Sequence, residues 1–511
     1  MADVALGHEP ADGVVARLAG LSGREWLRLD ESARWRGWYG SPLTRIDDWH
    51  SVLADRQSVV VAVAGSMHPD GRIRQAAVSA LAATDGPLSM TALAVRTADW
   101  VPEVADAAQT ALAARSVLAD LVATVPVMRA LTTRRRGRDI AANFLRDVAN
   151  GPANVLKEVA ATSDRSSTVW ALGVLRQRSE VSDDALAARA VADPDPQVAL
   201  WCAQQLLTPQ GHLPLWAGEL LLHSRRARVR AFTVGHLDDA DLGRDALAAR
   251  LLDRSAGVRA MAQWRWSRSY GNPILVYQDA LAVPGAAAST AAALQGLAAT
   301  AAPNCVVIAA PFLTSPSPAV RSAATHAIGQ RGTPEEVITH LAPLILRNDS
   351  NKVFSAAMQY LRSQASALPP QVIDDLDRID TPRARRTVLT LRQHLGHWTR
   401  VHADLRAMNG DDPALAESAR SDLLTWLNHH ASTAYGQPTP HQAAEIAQLL
   451  DTDKLNGNQH RAISFVAGIR PTHPQRQNDS PLPGDRRFGR HLGLTSRGTR
   501  GGGWWRRGPQ S

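Results

Sequence analysis

The sequence predicts an all-α protein, an α-α superhelix of stacked helical pairs that ends in a disordered C-terminal tail. Three observations predict this class: an apolar pattern that recurs about every 31 residues, helical spacing inside each copy, and a final segment of biased composition. Aliphatic side chains must build the core, because 45% of the 511 residues are hydrophobic but only 5% are aromatic. No convincing strand pattern occurs, which excludes Rossmann, α/β-hydrolase and kinase scaffolds.

A typical copy of the repeat has a branched apolar residue, a small residue four positions later and an apolar residue eight positions later. The first is Val or Ile in nine of twelve copies, the second is small in all but Phe144 and Val388, and the third is apolar in all but Gln177 and Arg392. The clearest copies begin at Ile73, Val229, Val258 and Val320, and an arginine follows each of them. These three positions share one face of an α-helix, so the stripe predicts the buried face of the second helix of a pair. The twelve anchors of the pattern are Ile73, Val104, Ile140, Val169, Val198, Val229, Val258, Ser289, Val320, Val353, Ala384 and Leu415.

Proline and aspartate mark the turn before each stripe, for example at Asp164, Asp253 and Pro318. Aspartate can cap the helix that follows, and proline fits a first helical turn. An earlier apolar segment, such as residues 186–191 or 337–346, fills the rest of each unit. Two helices and two turns in about thirty residues predict αα-hairpins that stack on their neighbours.

This pattern resembles the HEAT-repeat family of α-solenoids, in its short bacterial form, over residues 55–430. The family typically places an aspartate in the turn and an arginine just after the valine, and these residues form a ladder along the stack. In this sequence the spacing is complete once, at Asp253 and Arg259. The copies that keep one member have Asp99, Asp164 and Asp193, or Arg74, Arg230 and Arg321. The resemblance therefore implies a HEAT-like solenoid with an incomplete ladder.

Four segments are predicted along the chain. Residues 1–54 form an atypical N-terminal helical cap, because a solenoid must cover its terminal core and four tryptophans are available for this. An aromatic partner surface is the alternative for these tryptophans, which are Trp26, Trp35, Trp38 and Trp49. Residues 55–430 form the HEAT-like repeat solenoid, residues 431–469 a C-terminal helical cap, and residues 470–511 a disordered tail rich in Arg, Gly and Pro.

The positive charge of the chain lies almost entirely in this tail. Residues 470–511 contain nine arginines and two acids, for a net charge of +7, so the remaining chain carries only +1 of the total +8. A nucleic-acid-binding solenoid is expected to keep a basic surplus in its folded body. The tail itself has two interpretations, an arm that contacts RNA or DNA through Arg and Trp, or a frame-shifted extension with GC-rich codons.

Signatures of chemistry are missing from the sequence. It contains no HExxH helix, no GxxxxGK[ST] loop and no GxGxxG after a strand. Two cysteines, Cys202 and Cys305, are too few for a Cys-based zinc site and too far apart to suggest a disulfide scaffold. The seventeen histidines form no complete ligand set with carboxylates or cysteines. We therefore predict no catalytic residue, no metal site and no cofactor, and we do not expect an enzyme.

The sequence also bears on location. The N-terminus lacks the basic and apolar regions of a signal peptide, so the cytoplasm is the expected compartment. Residues 280–320 carry no charge, but Gln295, Pro303, Asn304 and Pro311 interrupt the apolar stretch and its side chains are mostly small. Buried solenoid helices or an apolar partner patch are predicted there, and a membrane span is not. The oligomeric state is left open.

A partner-binding surface is expected on the concave face, because second helices line that face in the family that this sequence resembles. Arginine clusters and scattered tryptophans fall on the predicted second helices. An alternative interpretation of the arginines is structural, with each one paired to a turn acid or carbonyl of the next repeat. The candidate contact residues are Arg74, Arg230, Arg259, Arg321, Arg385, Trp170, Trp201 and Trp264.

The sequence thus favours a non-catalytic scaffold or adaptor that binds a protein partner along the concave face. The alternative is a nucleic-acid-binding HEAT-like protein, including an alkylated-base DNA glycosylase, since such glycosylases use HEAT-like repeats with a groove of Trp, Asp and Arg. Trp264 and Trp266 do lie beside Arg259 and Arg265 on one predicted helix. No ordered motif of that enzyme family matches, so no catalytic residue is carried over.

Overall fold

The computed structural model describes residues 10–34, 49–55, 58–115, 117–283, 285–347, 349–434, 436–450 and 454–469. Within these residues the chain forms thirty α-helices and three short 3-10 helices, and no strand. The all-α solenoid class predicted from the sequence is confirmed. The chain divides into two compact units, Met1–Arg378 and Ile379–Ser511, and the boundary falls inside the predicted repeat region.

The first unit begins with three helices before the repeats, α1 (Asp12–Ala19), α2 (Gly23–Ser32) and α3 (Trp49–Asp55). Helix α3 packs on the first repeat, and its Trp49 is buried there. Helices α1 and α2 instead pack on first helices further along the stack. The predicted tryptophans Trp35 and Trp38 lie outside the described residues.

Helical pairs then follow through the described part of the first unit. Their bounds are α4 (Val59–Ser66) with α5 (Gly71–Ala82), α6 (Pro87–Arg96) with α7 (Pro102–Ala113), α8 (Leu118–Leu131) with α9 (Arg138–Asn150), α10 (Ala153–Ala161) with α11 (Arg165–Gln177), α12 (Asp183–Ala192) with α13 (Pro196–Gln204), α14 (Leu215–Leu222) with α15 (Ala227–His236), α17 (Arg244–Leu251) with α18 (Ala256–Ser269), α19 (Ile274–Ala282) with α20 (Ala287–Ala299), α21 (Cys305–Ala309) with α22 (Pro318–Arg331), and α23 (Pro334–Leu346) with α24 (Asn351–Leu361). A short helix α16 (Asp239–Leu242) precedes α17, and α25 (Pro370–Asp377) ends the unit.

Every predicted anchor lies near the start of a helix, as the repeat requires. In α22 the complete stripe of Val320, Ala324 and Ile328 is buried, and the small Ala324 allows the neighbouring second helices to approach closely. The helical caps also follow the sequence: Asp164 accepts a hydrogen bond from the amide of Ser167 at the start of α11. Local turn chemistry and the apolar period therefore specify the same helices.

Two repeats depart from the predicted register. In α9 the buried residues are Ala141, Leu145 and Val148, whereas the anchor Ile140 is half-buried. In α11 the buried stripe runs through Thr168, Leu172 and Leu175, one residue ahead of the anchor Val169, which is half-buried. Gln177, which failed the apolar rule, is exposed at the last residue of the helix. Because each residue turns an α-helix by about 100°, a shift of one position changes which side chains face the core.

Another irregularity lies between the anchors Val104 and Ile140, the longest interval in the repeat. Helix α8 is long here and contains Pro126, and position four after Ile140 holds the large Phe144 in place of a small residue. Ile140 and Phe144 line a cavity of about 400 Å³ beside α7 and α9.

The second unit contains α26 (Pro382–Gln393), α27 (His397–Asn409), α28 (Pro413–His429), α29 (Pro440–Leu450) and α30 (Gly457–Val466). Its core is built around Trp398 and Trp426, whose ring centroids lie 5.8 Å apart, together with Ile446 and Ile463. Helices α29 and α30 pack on α27 and α28 and occupy the segment predicted as the C-terminal cap. The predicted tail, residues 470–511, lies outside the described residues.

Candidate partner-binding surface

The arginines that follow the anchors share one local geometry. In four repeats of the first unit, the Nη1 group donates to the backbone carbonyl six residues earlier, in the turn that precedes the second helix. This bond fixes the start of each second helix to its own turn, and it satisfies a carbonyl that a helix cannot use. The four bonds are Arg74 to His68 at 3.0 Å, Arg230 to Ser224 at 2.8 Å, Arg259 to Asp253 at 2.8 Å, and Arg321 to Ser315 at 2.7 Å.

The other edge of the guanidinium reaches the turn of the next repeat. Arg230 donates from Nε and Nη2 to both carboxylate oxygens of Asp253, at 2.8 and 2.7 Å. The same carboxylate accepts the amide of Ser255 at 2.8 Å, so one aspartate shapes its own turn while it binds the preceding repeat. Equivalent two-point pairs join Arg74 to Asp99 at 2.9 and 2.8 Å, and Arg321 to Asp349 at 3.1 and 2.5 Å.

These pairs form an arginine ladder, the name used below for Arg74, Arg230, Arg259 and Arg321 with their turn partners. By sequence, Arg74 and Asp99 belong to two repeats that each keep only one member of the Asp–Arg spacing. In the structure these two residues bind each other across successive repeats. Arg259 donates in the next repeat to the side-chain carbonyl of Gln295, at 2.8 Å, in place of a carboxylate. The ladder is therefore more continuous in the first unit than the spacing of Asp and Arg within single repeats predicts.

The candidate contact arginines are consequently of two kinds. Arg74 is 0% exposed, and Arg230 and Arg259 are each 5% exposed. Their donors bind turn groups and, for Arg259, also Gln295 of α20. These residues and Arg321 have the geometry of the alternative named under Sequence analysis, in which each arginine pairs with a turn acid or carbonyl. Arg385 in the second unit differs, because its side chain is 44% exposed and pairs with Asp380 at 2.6 Å. Contact of any of these arginines with a partner stays a prediction.

The candidate tryptophans are more accessible than the ladder arginines. Trp264 on α18 is 53% exposed, and the guanidinium of Arg268 lies 4.8 Å from its ring centroid. Trp170 and Trp201, on α11 and α13, are half-buried. Trp201 lies over Gly173 of the preceding second helix, where a Cβ would meet its ring at 3.8 Å. Their contact role also stays a prediction.

A buried charge network near the N-terminus was not foreseen from the sequence. Asp99 accepts bonds from Arg74 and from Arg96 at 2.9 Å, and Arg96 also contacts Asp30 of α2. Burial raises the pKa of Asp99, but the bonds from Arg74 and the nearby charge of Arg96 outweigh it and lower the pKa overall. The spacing of three residues between Arg96 and Asp99 could have indicated this ion pair in the sequence. The contact of Arg96 with Asp30 of α2 depends on tertiary packing and could not be predicted.

The second unit contains a buried carboxyl pair. Asp404 on α27 is 0% exposed and accepts a bond from Gln393 at 2.7 Å, and it lies beside Asp422 of α28. Arg400 donates to both carboxylate oxygens of Asp422 at 2.6 and 2.7 Å. Burial, with the neighbouring negative charge of Asp422, raises the pKa of Asp404 to about 8. Asp404 therefore holds a proton near neutral pH.

Two features of the described part of the chain concern metal sites and membrane spans. Three or more His, Cys, Asp or Glu side chains placed to hold a metal ion do not occur together there. Among the same residues, every helix is too short or too polar to cross a bilayer.

Comparison with known proteins supports the repeat. Residues 287–362 match the HEAT repeats family. No curated protein matches the sequence. Among solved structures, Kap95p, whose binding induces the switch loops of RanGDP to adopt the GTP-bound conformation, is 12% identical, with a TM-score of 0.32 and coverage of 88% of this chain and 67% of Kap95p.

A second solved structure, Kap121p, is 13% identical, with a TM-score of 0.25. The match covers 80% of this chain but only 43% of Kap121p. At such identities and TM-scores, neither similarity carries an argument about what this chain binds. The HEAT match falls on α20 to α24, where the predicted register and the ladder pair of Arg321 and Asp349 are also observed. The chain is an α-solenoid that resembles the HEAT-repeat family, with HEAT repeats matched in residues 287–362.

Proposed function

We propose that this chain is a non-catalytic scaffold or adaptor that binds a protein partner along the face formed by its second helices. The observation that carries the proposal is the arginine ladder. Arg74, Arg230 and Arg321 each join a second helix to the turn of the next repeat, and Arg259 joins α18 to Gln295 of α20. A surface held in register across several repeats suits an extended partner, because each repeat adds a small area of contact.

Residues of two kinds support this role. The ladder members Arg74, Arg230, Arg259 and Arg321 position the second helices. The exposed side chains of Trp264 and Arg385 and the half-buried Trp170 and Trp201 are the proposed contacts. Tryptophan and arginine are the residue types that most often dominate binding energy at protein interfaces. An exposed indole stacked with Arg268 is also partly ordered before the partner arrives, which lowers the entropy cost of binding.

The charge balance favours a protein over a nucleic acid as the partner. Outside residues 470–511 the chain carries a net charge of only +1, and binding to a duplex releases counterions in proportion to the basic groups that contact phosphates. The ladder arginines are already paired with carboxylates or carbonyls, so their donors are not free for phosphates.

Affinity capture from the native host tests the proposal. The full chain, treated with nuclease and washed at moderate salt, is expected to retain a protein partner. The Trp264→Ala variant is expected to lose that partner by about tenfold or more, since a central interface tryptophan contributes at least about 2 kcal/mol. Trp216→Ala, which removes an exposed tryptophan from the first helix α14, is the matched control and is expected to retain the partner.

Two results would contradict the proposal. One is recovery of nucleic acid as the retained ligand, which would favour the glycosylase alternative and lead to an assay on alkylated duplex. The other is equal loss of the partner in the Trp264 and Trp216 variants.

A further inference from the structure

A cavity on the first-helix side of the first unit lies outside the proposed partner surface. It has a volume of about 790 Å³ and lies between α1–α2, the start of α6, α8 and the end of α10. This volume is within the range of small-molecule sites. An apolar lining is supplied by Leu18, Leu21, Leu88, Val117 and Leu118, and the last two are 62% and 37% exposed.

The charged side chains of this cavity are all acidic. Among the described residues, three carboxylates line it, from Glu25, Glu158 and Asp164, and no Lys, Arg or His does. Glu25 is bound in a capping box with Ser22, which lowers its pKa and keeps it ionised. Glu158 is exposed and forms no ion pair that the described part of the chain shows. Two arginines outside the lining act on these carboxylates, Arg28 on Glu25 and Arg129 on Asp164.

A backbone acceptor adds to this set. Pro126 lies inside α8 and has no amide hydrogen, so the carbonyl of Val122, four residues earlier, lacks its helical donor. Both Val122 and Pro126 line the cavity. A buried or half-buried carbonyl without a donor is costly unless a ligand or water supplies one.

Three of the four hydroxyl groups of the lining, all but that of the exposed Ser163, already donate within the protein. Thr91 donates to the carbonyl of Pro87 at 2.8 Å, and Thr162 donates to the carbonyl of Val159 at 2.8 Å. Ser22 donates to the carboxylate of Glu25 at 2.7 Å. The cavity therefore combines an apolar wall, three carboxylates with no basic side chain in the lining, and the Val122 carbonyl. A complementary ligand has an apolar body with a positively charged N–H donor.

The wall of the cavity is maintained by close packing of α2 on α8. A Cβ at Gly23 would lie 1.9 Å from the carbonyl oxygen of Pro126, so only glycine permits this approach. Trp26 of the same helix is 2% exposed and forms part of the wall. From these observations we propose that the cavity is a binding site for a protonated aliphatic or arylalkyl amine, with the apolar body inside and the ammonium group at the carboxylates and the Val122 carbonyl.

Calorimetric titration of the full chain with four eight-carbon probes tests this site. Octylammonium supplies both charge and N–H donors, octyltrimethylammonium charge without donors, octan-1-ol a neutral donor, and octanoate the opposite charge. Octylammonium is expected to bind at least about tenfold more tightly than each of the other three, as a charge-assisted hydrogen bond requires. Equal affinity for octanoate, or for octyltrimethylammonium, would overturn the proposal.

Variants separate this site from general binding of amphiphiles. Pro126→Ala gives the Val122 carbonyl its helical donor, and Glu158→Gln removes one charge from an exposed position; each is expected to weaken octylammonium binding several-fold while the helical signal is kept. Glu219→Gln on α14 is the matched control and is expected to leave the affinity unchanged. Unchanged affinity in both Pro126→Ala and Glu158→Gln would refute the assignment. The proposed protein-binding function does not depend on either result.

Discussion

Asp404 makes the stability of the second unit depend on pH in an unusual direction. With a folded pKa of about 8 and an unfolded value of about 3.9, Asp404 keeps a proton on folding that the unfolded chain releases. The stabilisation is complete below the unfolded pKa, and it is lost as the pH rises through this window towards the folded pKa. The slope approaches 1.4 kcal/mol per pH unit, so about 3 kcal/mol is lost between pH 5 and pH 7.

The substitution Asp404→Asn removes this loss of stability with rising pH, because asparagine has no proton to release in the unfolded chain. The asparagine can still accept the bond from Gln393, and its amide can donate to Asp422 in place of the carboxyl proton. We expect the variant to unfold at a higher temperature than the native protein at pH 7.5 and at a similar temperature at pH 4.5. Differential scanning calorimetry across this pH range measures the transition of the second unit.

Asp411→Asn, at an exposed aspartate between α27 and α28, is the matched control and should leave the pH dependence unchanged. A lower transition temperature for Asp404→Asn at pH 7.5, or an unaltered pH slope, would refute the reasoning. Either result would mean that Asp404 is ionised in the folded chain.

Three further predictions concern the first unit. Arg230→Ala should destabilise it by about 3–5 kcal/mol in urea unfolding, because the partner carboxylate would stay buried without its guanidinium. Gly296→Ala should destabilise it by about 1–3 kcal/mol in the same assay, since the new Cβ would lie 2.3 Å from the ring of Tyr277. Cys202 and Cys305 should resist alkylation by iodoacetamide at pH 8 until the chain is unfolded, because burial raises the pKa of both thiols, that of Cys202 to about 12.

The arginine and glycine predictions each have a matched control. Arg228→Ala, on an exposed position of the same helix as Arg230, should change stability by less than about 0.5 kcal/mol. Gly257→Ala places its Cβ in open space, 3.9 Å from the nearest side chain, and should be neutral or slightly stabilising. Equal effects in the two arginine variants or in the two glycine variants, or rapid alkylation of the folded chain, would contradict the structure.

The helical pairs were predictable because the information is local. A buried stripe such as Val320, Ala324 and Ile328 follows from a period of 3.6 residues, and a cap such as Asp164 follows from turn chemistry. The polar Gln177, at a position where the repeat calls for an apolar residue, also marks α11 as irregular in the sequence. The direction in which the buried stripe of α11 shifts could not be predicted from it.

The contacts between repeats were less accessible to sequence reasoning. A search for Asp and Arg within one repeat pairs Asp253 with Arg259, but the carboxylate of Asp253 binds Arg230 of the preceding repeat. The position of α2, which brings Asp30 to Arg96 and forms the wall of the acceptor-lined cavity, depends on packing across distant parts of the chain. Neither local propensity nor periodicity contains that information.

Hydrogen exchange of the full chain, alone and with its captured partner, tests the account most directly. We predict that the partner protects peptides from successive second helices, including α11, α13 and α18, which contain the candidate tryptophans. Protection confined to first helices, or found only in residues 470–511, would contradict a binding surface built on the second helices.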